Sequence, residues 1–282
     1  MKVFLAGTNS FSGLVSTTIS GDSTDTFVNQ GNKVAMQIFA DKEKKSQISK
    51  GDYPFILESF FYVNSDTERM LPYYGDFLLD SGAFTFCGTG GFSPEKFEDY
   101  LERYADFINR HKIDKFFELD VDSITGYKKV LEYRRRLENL TNRQCIPVWH
   151  ISRGKDEYIR HCDEYPYVAL GGYVAAIKTN DKKNQEYIKA YPWFIREAHK
   201  RGKKIHGLGF TMFTKLPQYH FDSVDSTGWN AGNRFGYLVY FDGHTMKTKN
   251  RPKGYKFAQT RAVAASNYTE WIKFQKYADR NL

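Results

Sequence analysis

The chain is poor in cysteine, with three in 282 residues: Cys87, Cys145 and Cys162. They are widely spaced and odd in number, and no two have the Cys-x-x-Cys spacing of a structural zinc site. Neither a metal knuckle nor a disulfide framework is implied, and they read as buried free thiols in a reducing compartment. No run approaches the roughly 18 apolar residues of a membrane span. The apolar start, Met1 to Gly7, is too short for the core of a secretory leader. Internal repeats, low-complexity tracts and linkers are also lacking. These absences point to one cytoplasmic domain over 1–282, with no membrane partner. A composition of 41% hydrophobic and 26% charged residues excludes disorder. Aromatic content is high at 17%, and the net charge of +8 fits a polyanionic partner, nucleic acid most simply.

Eight short apolar runs read as strands: 2–6, 55–62, 77–80, 115–120, 146–150, 168–171, 204–207 and 221–225. Most are continuous rather than alternating, as expected of parallel strands covered on both faces. Helical patterns separate the later ones. Ser93-Pro94-Glu95 is a helix start, followed by a stripe of Phe97, Tyr100, Leu101, Tyr104 and Ile108 at helical spacing. Further helices are expected at 127–140, 156–165, 184–201 and 269–280. In the helix at 127–140, Arg134, Arg135 and Arg136 are expected to be largely solvated. The N-terminal region fits less well, with a polar stretch at 8–31 and one helix at 33–48. Residues 237–242 and 245–249 could pair as a hairpin. Strands alternating with helices give an α/β class, read as a (β/α)8 TIM-like barrel with an irregular N-terminal region and an inserted hairpin after the last strand.

Chemistry-bearing residues cluster where these runs end. Asp80-Ser81-Gly82, Asp120-Val121-Asp122, Gly171-Gly172 and Asp222-Ser223-Val224-Asp225 all lie at strand C-termini, as do His150 and, nearly so, His206. One Asp at a strand end is most often a turn former, and a lone His a satisfied core residue. Several at corresponding ends of parallel strands converge on the face where barrel enzymes do chemistry.

Taken in order, these motifs resemble the tRNA-guanine transglycosylase superfamily over roughly residues 75 to 235. Asp80-Ser81-Gly82-Ala83-Phe84 is similar to the family's Asp-Ser-Gly-Gly-aromatic block. Leu119-Asp120-Val121-Asp122 sits where the family has Phe-Asp-Glu-Cys, and Leu170-Gly171-Gly172-Tyr173 resembles its Gly-Gly-Leu turn. Lys204 to Gly209 and Phe221 to Ser226 resemble the last two strands. The family's zinc cysteines are missing beyond Cys162, and Thr227-Gly228-Trp229 replaces its Pro-Thr-Arg. The reduced pattern looks most like the DpdA-type branch of phages and bacterial gene clusters, which places 7-deazaguanine bases in DNA.

The resemblance implies a pentosyltransferase that exchanges guanine in nucleic acid, DNA rather than tRNA, for a base such as preQ0. Asp225 would be the nucleophile, with Asp222 its rival, since positions three apart on a strand face opposite ways. Asp80 would move the proton. Asp120 and Asp122 would accept from the base, and Gly171, Gly172 and His150 would donate to it. Ser81 and His206 would help line the pocket, and Phe84, Trp149 or Tyr173 would stack on the base. No metal or other cofactor is required. Lys247, Lys249, Arg251, Lys253 and Lys256 form the preferred phosphate contact. The rivals are a catalytically inactive nucleic-acid-binding barrel and a different barrel hydrolase, glycosidic or metal-dependent, the latter using the acids with His150 and His206.

Overall fold

The computed structural model describes residues 1–8, 54–83, 85, 94–172, 182–210, 212–235, 237–250 and 260–282. The stretch read as a loop beyond Thr8, the helix expected at 33–48, Cys87 and the Ser93 cap lie outside them.

Seven of the eight apolar runs form one parallel sheet. In chain order its strands are β1 (Lys2–Ala6), β2 (Phe55–Ser59), β3 (Asp76–Asp80), β4 (Val148–Trp149), β5 (Tyr167–Leu170), β6 (Lys204–Gly207) and β7 (Ser223–Ser226). They lie side by side as β3-β2-β1-β7-β6-β5-β4. The eighth run makes only isolated parallel bridges, Leu79 with Phe116 and Phe117 with Ile146. It stops short because the Val121 amide turns back to the Leu119 carbonyl (3.0 Å), and the chain enters the short helix α3 described below. The sheet is curled into at least a half-barrel.

The curl gives every strand an inner and an outer face, filled by alternate residues. Phe4, Leu57, Leu78, Phe117, Val148 and Ala169 pack inside. Val3, Leu5, Trp149, Leu170, Ile205 and Val224 pack outward beneath helices. At the N-terminal end of the interior, Asp76 takes ion pairs from Lys2 (2.5 Å) and Lys115. Burial pushes the Asp76 carboxyl up, but these two ammonium groups outweigh it and hold it below the usual range.

The helices are α1 (Ser65–Met70), α2 (Pro94–His111), α3 (Asp122–Thr125), α4 (Tyr127–Thr141), α5 (Gly154–Glu164), α6 (Lys182–Lys200), α7 (Leu216–Tyr219), α8 (Gly228–Phe235) and α9 (Thr260–Asn281). The stripe read on α2 is buried at all five positions. On α4, Val130, Tyr133 and Leu137 face in as expected, but Arg134 is buried too, against Glu118. Arg136 does reach solvent, and it pairs there with Glu98 and Glu102. Cys145 and Cys162 are free and buried, and burial raises both thiols.

Helix α9 begins nine residues before the sequence pattern suggested, because buried Val263 and Ala264 extend its apolar face. It is fastened to the first strands. Gln275 donates to the carbonyls of Val3 (2.6 Å) and Phe55 (2.8 Å) and accepts from the Phe55 amide (2.9 Å). The Met1 ammonium donates to Ala278 O at 3.2 Å. A buried side-chain amide and the chain's own N-terminus thus tie the C-terminal helix to the sheet. The hairpin is β8 (Tyr237–Phe241) with β9 (Met246–Asn250), antiparallel. Asn267 and Glu270 of α9 accept from its Val239 and Phe241 amides, both at 2.9 Å. Among the described residues no helix is long and apolar enough to cross a membrane.

Candidate active site

The C-terminal ends of the strands carry two groups of polar side chains. The first belongs to β3, β6 and β7. Asp80 closes β3 and is partly buried, and its Oδ2 accepts from the Gly82 amide at 2.9 Å. Gly82 has φ +82°, and a Cβ there would stand 2.8 Å from Phe61 Cβ, so only glycine lets this loop fold back onto the acid. Burial raises the Asp80 carboxyl to about 6, and the charges of Asp225 and Asp120 push in the same direction. The ends of β3 and β7 and the end of the 115–120 run therefore bring these carboxylates into one electrostatic neighbourhood.

Asp225 faces inward from β7. Its Oδ1 accepts from the Gly209 amide (2.7 Å) and meets His206 Nε2 at 3.1 Å. Asp222 is elsewhere. It precedes β7 on the outer side, where it accepts from the Ile205 amide (2.8 Å) and pairs with His199 (2.9 Å). The strand's period of two separates them, and only Asp225 reaches the other acids.

The second group surrounds Arg153, whose side chain is 1% exposed. Its Nη2 donates to Asp120 Oδ1 (2.5 Å) and Asp122 Oδ2 (3.2 Å), and its Nη1 donates to Glu118 Oε1 (2.9 Å) and to Val148 O. The Tyr127 ring lies 4.3 Å away. Glu118, wholly buried, also takes Arg134 Nε at 2.6 Å and the Val148 amide at 2.8 Å. Burial alone would raise the Glu118 carboxyl; Arg134 and Arg153 hold it low instead. His150, just past β4, meets the other Asp120 oxygen through Nε2 at 2.5 Å. Burial pulls its imidazole down, but the Asp120 charge and hydrogen bond prevail and raise it.

Asp120, Asp122 and His150 offer ligand atoms within 4.8 Å of one another. A divalent cation fits them poorly, because the Arg153 guanidinium already neutralises both carboxylates.

Four expected roles need correction. Trp149 is no stacking platform, since it faces outward, 1% exposed, with Tyr158, Tyr187 and Phe194 around it and Nε1 on Gly154 O. The Gly171 amide cannot donate to a base, because it is spent on Trp149 O at 2.9 Å. Glycine is needed there for another reason: a Cβ would lie 2.4 Å from His150 Cε1. His206 is wholly buried between Ser223 and Asp225, out of reach of a substrate. Ser81 is buried, and its carbonyl accepts from Tyr100.

Gly172 takes φ +90° at the end of β5. Phe84 and Tyr173 lie outside the described residues, as do Arg251, Lys253 and Lys256. Lys247 and Lys249 are exposed on β9. Lys249 is opposite Leu238, near the α8 end of the hairpin, whereas Lys247 is opposite Tyr240, toward the turn, 3.8 Å from Asp242. Arg153 and Glu118 were missed from sequence. Arg153 lies three residues after His150, and Glu118 alternates with Asp120 and Asp122, which was the available signal. No protein-family model matches the chain, and no curated protein matches it.

Proposed function

We propose that this chain is a base-exchange transglycosylase that replaces guanine in nucleic acid, DNA rather than tRNA, with a 7-deazaguanine base. The reading is supported above all by the placement of two acids at strand ends. Asp80 closes β3, and Asp225 on β7 is held through Oδ1 by the Gly209 amide and His206, while burial and the charge of Asp225 raise the Asp80 carboxyl to about 6. One acid suited to carrying a proton near neutral pH, beside a second that is hydrogen-bonded on one oxygen, is the pair a covalent glycosyl exchange requires. In the same reading the sheet is an eight-stranded (β/α)8 barrel, closed by the Phe116 and Phe117 bridges between β3 and the residues leading into β4.

The steps balance as follows. An Asp225 oxygen attacks C1′, the C1′–N9 bond breaks, and its electron pair leaves with guanine. Asp80 gives that base its proton. The incoming 7-deazaguanine then attacks C1′ through N9, returns its N9 proton to Asp80, and the Asp225–C1′ ester bond breaks. Asp120, oriented by His150 and Arg153, is the acceptor offered to the base.

The test is incubation with labelled guanine and either duplex DNA or tRNA, with Asp225→Ala as control. Label entering DNA, and lost in the variant, supports the reading. Label in neither polymer, with nucleic-acid binding intact in Asp225→Ala, favours a catalytically inactive binding barrel instead.

A further inference from the structure

We propose that His206 is a positioning residue for Asp225, the last link of a buried hydrogen-bond chain that runs from Tyr167 through Ser223 and leaves Asp225 Oδ2 as the attacking oxygen. The identity of the attack rests on the transglycosylase reading; the chain itself rests on geometry.

All four side chains point into the sheet's interior from adjoining strands. Tyr167 is on β5 and His206 on β6, with Ser223 and Asp225 on β7, and His206 is in register with Ser223. The Tyr167 hydroxyl meets Ser223 Oγ, and Ser223 Oγ meets His206 Nδ1 at 2.5 Å. His206 Nε2 meets Asp225 Oδ1 at 3.1 Å. The layer is otherwise apolar, and the imidazole is held by the rings of Phe117 (5.3 Å), Phe4 (6.3 Å) and Tyr167 (6.4 Å). A wholly buried imidazole in such a place is costly unless both nitrogens are satisfied, and here both are.

The chain has a direction. Burial raises the Tyr167 phenol far above its usual range, so it stays protonated and can donate to Ser223. Ser223 then donates to Nδ1, which leaves the imidazole proton on Nε2, facing Asp225. The Gly209 amide gives Oδ1 a second donor at 2.7 Å. Among the described residues no hydrogen bond reaches Oδ2. The carboxylate therefore cannot flip without breaking two bonds, and the same oxygen is presented at every turnover. Misplacing a reacting group by about 1 Å can cost about 100-fold in rate.

The experiment uses the whole chain with nitrogen-15-labelled histidine, read by NMR, beside guanine-exchange kinetics of His206→Leu, His206→Gln and Ser223→Ala. The expected result is a neutral His206 protonated on Nε2, with the Nδ1 resonance moved by Ser223→Ala. His206→Leu should slow formation of the glycosyl-enzyme about 100-fold with little change in KM, and Gln, which can donate from a similar place, should restore part of that. A proton on Nδ1, or an unchanged rate in His206→Leu, overturns the proposal. If the wild-type protein exchanges no guanine, the functional reading fails, while the tautomer still decides the direction of the chain.

Discussion

The Asp225 carboxylate at the end of β7 helps push the Asp80 carboxyl at the end of β3 up to about 6, after burial has supplied the larger share. The two residues are far apart in sequence and on strands that do not neighbour each other, since β1 and β2 stand between β7 and β3. Their coupling across the curled sheet links the ends of β3 and β7 electrostatically, as separate turn-forming acids would not be.

This coupling carries a stability cost. A carboxyl raised from 3.8 to about 6 binds its proton more tightly in the folded state than in the unfolded one. Between about pH 4 and pH 6 the folded chain therefore loses stability as pH rises, and the deficit stays level above that, at about 3 kcal/mol. Asp80→Asn keeps an acceptor for the Gly82 amide and removes the titration. Urea unfolding at several pH values should show the variant gaining on wild type across that window, and the proposed guanine exchange should be lost. If the chain exchanges bases as proposed, wild-type glycosyl-enzyme formation should slow as pH rises through about 6. Parallel stability curves for the two proteins would sink the assignment.

Gly171→Ala tests the other group. Its new Cβ would stand 2.4 Å from His150 Cε1, so the ring must leave Asp120. The raised His150 value depends on that partner, because burial by itself lowers it. Proton NMR titration should find the His150 value falling in Gly171→Ala, and also in Asp120→Asn. A histidine with a raised folded-state value lends stability at low pH that fades as pH rises through that value, so both variants should lose most below neutrality.

Strand existence was legible because parallel strands buried on both faces leave continuous apolar runs, and seven of eight became ladder-forming strands. The exception, 115–120, has the same pattern, but its end is set by the backbone turn at Val121, which side-chain type does not announce. The converging acids Asp80, Asp120 and Asp225 could be read from their positions at strand ends. The roles of Trp149 and His206 could not, because a period of two tells only that neighbours face opposite ways, not which way is inward. Arg153 escaped because a basic residue in a turn reads as solvated; its burial follows from three acids contributed by a different segment.

The hairpin lysines should differ in their contribution to nucleic-acid binding. Lys249 is near the α8 end of the hairpin, while Lys247 is toward the turn and shares its charge with Asp242. If the strand-end face grips a polyanion, Lys249→Gln should lower the slope of log affinity against log salt by about 0.9, the value of one phosphate contact, and Lys247→Gln should leave it nearly unchanged. Equal slopes for the two variants in fluorescence-anisotropy titrations with duplex DNA would rule out this orientation.

Arg153 decides between the exchange reading and a metal-dependent one. Its guanidinium binds Asp120, Asp122 and Glu118 together, at 2.5, 3.2 and 2.9 Å. Removing it with Arg153→Met strips a buried partner from several carboxylates at once, a loss of about 3–5 kcal/mol. Arg153→Lys should recover only part of this, because one ammonium cannot span three acids as the planar fork does. The variants also free the three ligand atoms of Asp120, Asp122 and His150 that lie within 4.8 Å of one another. About 1 mM manganese or zinc should raise the melting temperature of an Arg153 variant through binding to the folded state, and leave wild type unmoved. Stoichiometric metal uptake by the wild-type protein, measured by calorimetry, would show that the guanidinium yields to a cation and would turn the chemistry of this face toward hydrolysis.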